Sequence, residues 1–262
     1  SFGLPVFTFL NDDELAISLS NPNGEDDVIP ANNALNRQIS SGYSGTITVG
    51  SGGDFPDFET AITALEGKGV CGHLNVNVLP GIYNEQVEIN QIPGTADTAV
   101  VTFQSSTGNY EDASLEFNAS SSSQYHTLKF NGASHIVFKN LSIRALHSFG
   151  GWTVHVFGDN NSHILIDSCY LETDTTATSD VNCAVVINGH NALLEPGGLS
   201  SNISISNCIV KAGGYGIVAS GPQDTMINTN NSATNNTITD YYRGGFWLMN
   251  TAGFTAAENT IH

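Results

Sequence analysis

Three ten-residue stretches of the chain repeat one pattern: "SHIVFKNLSI" (134–143), "SHILIDSCYL" (162–171) and "SNISISNCIV" (201–210). Each alternates apolar and polar residues and then turns on a short polar residue. Fainter copies occupy "NSATNNTITD" (231–240) and "AGFTAAENTI" (252–261). Aligning the residue that ends each alternating stretch puts Asn140, Ser168, Asn207, Asn236 and Asn259 in one column, at spacings of 28, 39, 29 and 23 residues. Periods of this size mark a solenoid. A second apolar strand lies between copies, at "WTVHVF" (152–157), "CAVVIN" (183–188), "YGIVAS" (215–220) and "FWLMN" (246–250). Each coil thus holds at least two strands, and no helical period runs through the region.

A single coil of this kind cannot bury its apolar side alone. Stacking coils at about 4.8 Å pairs backbone amides from coil to coil and makes one continuous core. Ile136 and Phe138 then lie under Ile164 and Ile166, which lie under Ile203 and Ile205. The aligned asparagines are expected inside, hydrogen-bonded along the stack. The fold class read from this register is all-β: a right-handed parallel β-helix occupying residues 43–262. A β-sandwich would space its strands without the like-on-like register. "DFPDFETAITALEGKG" (54–69) is the one convincing helix, with Phe58, Ala61, Ile62 and Leu65 on one face, Pro56 near its start and Gly67 or Gly69 at its end. It is expected to cap the N-terminal end of the stack. Residues 1–42 read as a hairpin of "PVFTFL" with "ELAISLS", followed by a linker. The last copy stops at "NTIH" with nothing to close the stack, so further domains of the same chain are expected beyond His262.

Charge narrows the partners. Twenty-five acids face seven Lys plus Arg, a net charge of −18. Such a surface repels nucleic acid, and no apolar run approaches the ~20 residues that membrane insertion of a helix needs.

With the register in hand, "TITVGSGGDFPDFETAITAL…GVCGHLNVNVLPGIYNEQVEI" (46–89) resembles the opening of the pectin-lyase-like superfamily, nearest to the N-terminal pattern of pectin methylesterases. The run through "IPGTADTAVVTFQSSTGNYEDASLEF" and "HTLKFNGASHIVFKNLSI" is similar to large secreted bacterial cell-surface β-helix proteins, often exported by the type IX route. The resemblance covers roughly residues 45–145. It implies an extracellular or cell-surface location and a carbohydrate setting.

Esterase chemistry in that superfamily implies two aspartates, an arginine and glutamines on successive coils. "GPQDTMI" (221–227) supplies Gln223, Asp224 and Thr225, and "YYRGGF" supplies Arg243, but the second aspartate motif is missing. A turn between coils accounts for the triplet more simply. Lyase chemistry needs a cation beside acids, and Lys129, Lys139, Arg144, Lys211 and Arg243 are read as having no acid cluster on a neighbouring coil. For a polygalacturonase, "NGHN" offers His190 and nothing more.

Four other groups stand out in the sequence. His135 and His163 hold matching positions one coil apart, so their rings fall about 5 Å apart; they are metal candidates, although Asn202 follows them in the third coil and a side-chain ladder is the plainer reading. Cys169 and Cys208 stack in register, either as small apolar residues or as a disulfide. The acidic loop "NPNGEDD" suggests calcium only weakly, since it lacks a D-x-[DN]-x-[DN]-G pattern. Trp152, Tyr215, Tyr242 and Trp247 are the ligand-binding candidates: aromatic faces on or beside the second strand that can stack on sugar rings. Alternation forbids both Phe246 and Trp247 from pointing inward.

The functional expectation is therefore a non-catalytic extracellular module, structural, adhesive or in contact with a neutral glycan or another surface protein. The alternative is a pectin esterase or polysaccharide lyase, which would need two acids and a cation converging on one outer groove.

Overall fold

A computed structural model describes residues 13–18, 34–39 and 42–262, except 122–124, 148–149, 180, 193–194, 196 and 223–227. From Tyr43 onward the strands form three parallel sheets, the faces of one solenoid. The first face has eight strands, from Tyr43–Val49 to Thr255–Ala257; the second has seven, from Gly81–Asn84 to Thr260–Ile261; the third has six, from Val87–Ile89 to Gly244–Met249. Each complete coil visits all three faces in turn. The decapeptides are each two strands rather than one, for example Ser134–Lys139 on the first face and Ser142–Ala145 on the second.

The register follows from burying like on like. Ile136 pairs with Ile164 and Phe138 with Ile166, and these with Ile203 and Ile205 in the next coil. All six are at most 1% exposed. The second face continues the core with Leu115, Ile143, Leu171, Val210 and Ile238 in one row. Rings extend the order, Phe103 stacking on Phe138 at 4.8 Å and Phe58 on Phe103 at 6.0 Å.

Between the first and second faces the chain turns on Asn140, Ser168, Asn207, Asn235 and Glu258, all with φ between 52° and 58°. Asparagine tolerates this left-handed conformation through local hydrogen bonding. The first four turn amides each bond to the next coil, as Asn140 N–H does to Asp167 O at 3.2 Å and Asn207 N–H to Thr234 O at 3.1 Å. The column expected from the sequence thus slips by one residue in the last two coils. Asn140 and Asn207 are turn residues outside the core, whereas Asn236 and Asn259 follow the turn, level with Leu141, Cys169 and Cys208. Asn236 is buried there: its Oδ1 accepts from Cys208 N–H at 2.9 Å, and its Nδ2 donates to Ile205 O at 2.9 Å. A single inward ladder of Asn140, Asn207, Asn236 and Asn259 does not form.

The helix Phe58–Lys68 buries Phe58, Ala61, Ile62 and Leu65 against the start of the stack. Asp57 caps its N-terminus through Thr60 N–H at 2.9 Å. Glu85 adds a second cap, accepting from Phe58 N–H at 3.2 Å and Glu59 N–H at 2.9 Å. Before the solenoid, Asp13–Ser18 pairs antiparallel with Ala34–Ile39. The expected partner, "PVFTFL", lies outside the described residues.

Candidate functional site

The outer side of the second face carries two rows set by alternation. Flanking the buried Leu115–Ile143–Leu171–Val210 row are Ser114, Ser142, Tyr170 and Ile209 on one side and Glu116, Arg144, Glu172 and Lys211 on the other. The paired serines leave a low floor. The loop before Ala113–Phe117 crosses that floor, held by Ser142 Oγ donating to Tyr110 O at 2.9 Å. It brings the Tyr110 ring to 5.6 Å from Tyr170, with the planes 11° apart. Together with the exposed Ile82, these residues line a groove of about 390 Å³.

The charged row alternates in sign. Arg144 lies between glutamates of the coils on either side, with Nη1 3.5 Å from Glu116 Oε1 and Nε 3.1 Å from Glu172 Oε2. The Nε–H is not aligned for a hydrogen bond, so the Glu172 contact is one of charge. Ser114 Oγ donates to Glu116 Oε1 at 2.8 Å, and the Arg144 guanidinium lies 5.3 Å from the Tyr170 ring centre. Burial raises the Tyr170 phenol above its ordinary range, and the charge of Glu172 adds to this. The hydroxyl therefore stays neutral at ordinary pH, able to donate and accept.

This arrangement corrects the sequence reading in two ways. Arg144 does stand beside acids on neighbouring coils, because a β-helix aligns residues 28 positions apart that show no local motif. Likewise Lys129 meets Glu88 at 3.3 Å, Lys139 meets Asp167 at 3.6 Å and Lys211 meets Asp240 at 3.5 Å. The Tyr110–Tyr170 groove was missed. Its signal was the register Ser114–Ser142–Tyr170, hidden because Tyr110 is supplied by a loop.

The expected aromatic surface on the third face is largely covered. Trp152 is 1% exposed, stacked on Tyr125 at 5.1 Å, and its indole N–H donates to Val181 O at 3.0 Å. It belongs to a second, smaller core with Cys183, Val186 and Val218 on the third sheet, against which Tyr125, Tyr215 and Trp247 pack. Such a side chain offers no face to a sugar. Tyr215 and Trp247 pack edge to face at 5.4 Å against the same cluster, each partly buried. Phe246 points into the main core, as alternation with Trp247 requires. Of the four candidates only Tyr242 is exposed, at 58%, with Arg243 over its ring at 5.3 Å. Gln223 and Asp224, and the "NPNGEDD" loop, lie outside the described residues.

His135 and His163 do stack, with rings 4.6 Å apart and 6° from parallel. Cys169 and Cys208 are thiols and not a disulfide; each Sγ is placed to donate to backbone carbonyls, Cys208 to Ser206 O at 3.1 Å and Cys169 to Asp167 O at 3.3 Å. Burial pushes the Cys208 thiol far up, which suits an inert core residue.

A family model described as the right-handed β-helix region matches residues 82–261. The chain belongs to that family. Among solved structures the β-helix is similar to a pectin methylesterase from Aspergillus niger, at 15% identity and a TM-score of 0.45, over 84% of this chain and 87% of that one. It is also similar to YbhC of Escherichia coli, at 10% identity and a TM-score of 0.38 over 90% of each chain. A rhamnogalacturonan lyase scores 0.34 at 12% identity, over 74% of this chain and 68% of that one. Likenesses at this level carry no argument about activity. No curated protein matches the chain in sequence.

Proposed function

We propose that this β-helix is a non-catalytic, glycan-contacting module of a larger secreted or cell-surface protein, and that it engages a neutral sugar chain along the outer groove of its second face. The observation that carries the reading is the Tyr110–Tyr170 pair beside Arg144, over a floor of serines. Ring edges and faces give apolar contact to a sugar, while the hydroxyls and the guanidinium give hydrogen bonds that fix its orientation. The cation favours a neutral ligand because Glu116 and Glu172 already neutralise it. Neither glutamate stands apart from that ion pair as a free acid or base. The type of exported bacterial surface protein suggested by residues 45–145 agrees with this reading.

One observation favours a second reading. Glu111, Glu116 and Arg144 line one groove, with Glu172 beside the guanidinium, the kind of arrangement that a carbohydrate-active enzyme would need. One experiment separates the two. Binding of neutral oligosaccharides is measured by calorimetry on the protein and on Tyr170→Ala, alongside release of methanol and of reducing or unsaturated ends from pectins, with and without calcium. The module reading expects no turnover and a loss of about tenfold in affinity on Tyr170→Ala, near the upper end of what one aromatic contact contributes. Turnover abolished by Glu172→Gln would establish the enzyme instead, and binding indifferent to Tyr170→Ala would remove the groove from the account.

A further inference from the structure

A second ladder of left-handed residues runs along the start of the first face: His135, His163, Asn202 and Asn230, with φ between 53° and 57°. We infer that its first two members, with Asp97, form a divalent-metal site suited to zinc that staples three successive coils. One donor atom from each of the three residues lies within 4.8 Å of the other two. His135 Nε2 is 3.2 Å from Asp97 Oδ1. Backbone geometry sets where the imidazoles emerge, since the turn position is repeated coil after coil.

The asparagines next in the ladder fix the chemistry of His163. Asn230 Nδ2 donates to Asn202 Oδ1 at 3.2 Å, which orients the Asn202 amide with its Nδ2 toward His163 Nε2, also at 3.2 Å. An amide NH₂ only donates, so His163 Nε2 presents to it a lone pair and not a proton, the form a metal needs. Zinc replaces one weak amide hydrogen bond there. Asp97 Oδ1 only accepts, so in the empty site His135 Nε2 holds its proton toward that oxygen; Nδ1 has no hydrogen-bond partner among the described residues and is open to take the proton when Nε2 becomes a ligand.

Two imidazoles and a carboxylate suit a borderline ion and not calcium or magnesium, which prefer oxygen alone. Zinc bonds of about 2.1 Å place tetrahedral ligands about 3.4 Å apart. Two stacked rings cannot aim both in-plane lone pairs at one ion, so closing to that value requires His163, which is exposed, to swing out of its stack on His135, and Asp97, whose side chain is 89% exposed, to rotate. The exposed side leaves the fourth position to water, and the net charge of −18 raises the local concentration of cations.

The test uses ZnCl₂ alone on chelator-washed protein, read by calorimetry and by thermal unfolding. His163→Asn is the variant of choice, because the next two coils already carry asparagine at the same φ, so the fold tolerates it. We expect about one zinc per chain, a rise in Tm on adding zinc, and affinity weakened at least about tenfold in both His163→Asn and Asp97→Asn, with the Tm rise gone. Calcium should give neither heat nor a Tm shift. Absence of saturable zinc binding, or the same binding and Tm rise in His163→Asn, would overturn the site, and a calcium response abolished by Asp97→Asn would overturn the choice of metal.

Discussion

Asn236 replaces the Leu141, Cys169 and Cys208 of earlier coils, and the change is tolerated because its amide does what a thiol cannot. It receives the backbone N–H of Cys208 and donates to the carbonyl of Ile205, closing two main-chain groups at a tight corner. Asn236→Ala is expected to leave those groups unpaired in a dry site and cost about 1–3 kcal/mol in urea unfolding, while Asn235→Ala, at the exposed turn, acts through strain in its left-handed backbone and loss of an exposed bond from its Nδ2 to Asn207 Oδ1 at 2.7 Å. His155 is the other residue whose burial has a measurable consequence. It is fully buried, with Nε2 2.9 Å from Asn188 Oδ1. Burial pulls its pKa down to about 3, the Asn188 contact opposes this, and His126 and Lys129 add to it; burial likewise takes His126 to about 4. The unfolded chain therefore binds protons that the folded chain refuses once the pH drops below about 6.5. Stability is at its full value above that pH and falls as the pH drops toward 3–4. At pH 5 the loss from His155 alone is about 2 kcal/mol. Urea titrations across pH 4–8 check the slope, and His155→Gln should flatten it; a stability that rises on acidification from pH 7 to 5 contradicts the assignment.

The strands of the first face were readable from single residues because β-branched and aromatic side chains recur in the same two columns, and the helix was readable because its apolar period and Pro56 mark it. Removing one member of those columns should show it: Ile166→Ala is expected to cost about 2–5 kcal/mol, since stacked neighbours on both sides prevent collapse of the cavity. The short stretches that resemble an esterase opening turn out to build the end of the stack. Asp54 accepts from Thr48 N–H at 2.7 Å and from Thr48 Oγ at 2.8 Å, locking the corner before the helix. Tyr83 donates to Leu79 O at 2.8 Å or Val49 O at 3.2 Å, and Glu85 holds the helix amides. Burial raises the Glu85 pKa more than these amides lower it. Glu85→Ala should nonetheless destabilise the cap by about 1 kcal/mol, seen as an earlier loss of helical signal on heating. These motifs speak of fold and not of chemistry. What the sequence hid were relations set by coil length. The 28-residue spacing from Cys208 to Asn236 reads as easily from Asn207 to Asn235, and two adjacent asparagines made either choice look equal. The second small core around Trp152 was equally hidden, because Tyr125, which stacks on it, lies outside the periodic strands.

Among the described residues four cations belong to ladders: Lys129, Lys139, Arg144 and Lys211 each sit opposite a carboxylate of a neighbouring coil. The full sequence sets 25 acids against seven Lys plus Arg, a net charge of −18. This distribution makes the stack sensitive to charge in a way that the groove reading can be held to. A neutral oligosaccharide meets the Tyr110–Tyr170 groove through ring contact and hydrogen bonds, neither of which depends on long-range field. Its affinity should change less than about twofold between roughly 0.02 and 0.5 M NaCl. A polyuronate approaches the same groove against a negative surface, with the one guanidinium already neutralised by Glu116 and Glu172. Its binding should be undetectable at low salt and should appear, if anywhere, only as salt screens the repulsion. Glu172→Gln provides the control at the site itself: it frees part of the Arg144 charge, so polyuronate binding should strengthen while neutral-glycan binding holds. Calorimetric titrations of a neutral and a uronic oligosaccharide of equal length, on both proteins at both salt concentrations, give the comparison. Tighter binding of the uronic chain to the unmodified protein at low salt would mean that the cations of the ladder recognise substrate charge, and the neutral-glycan reading would fall.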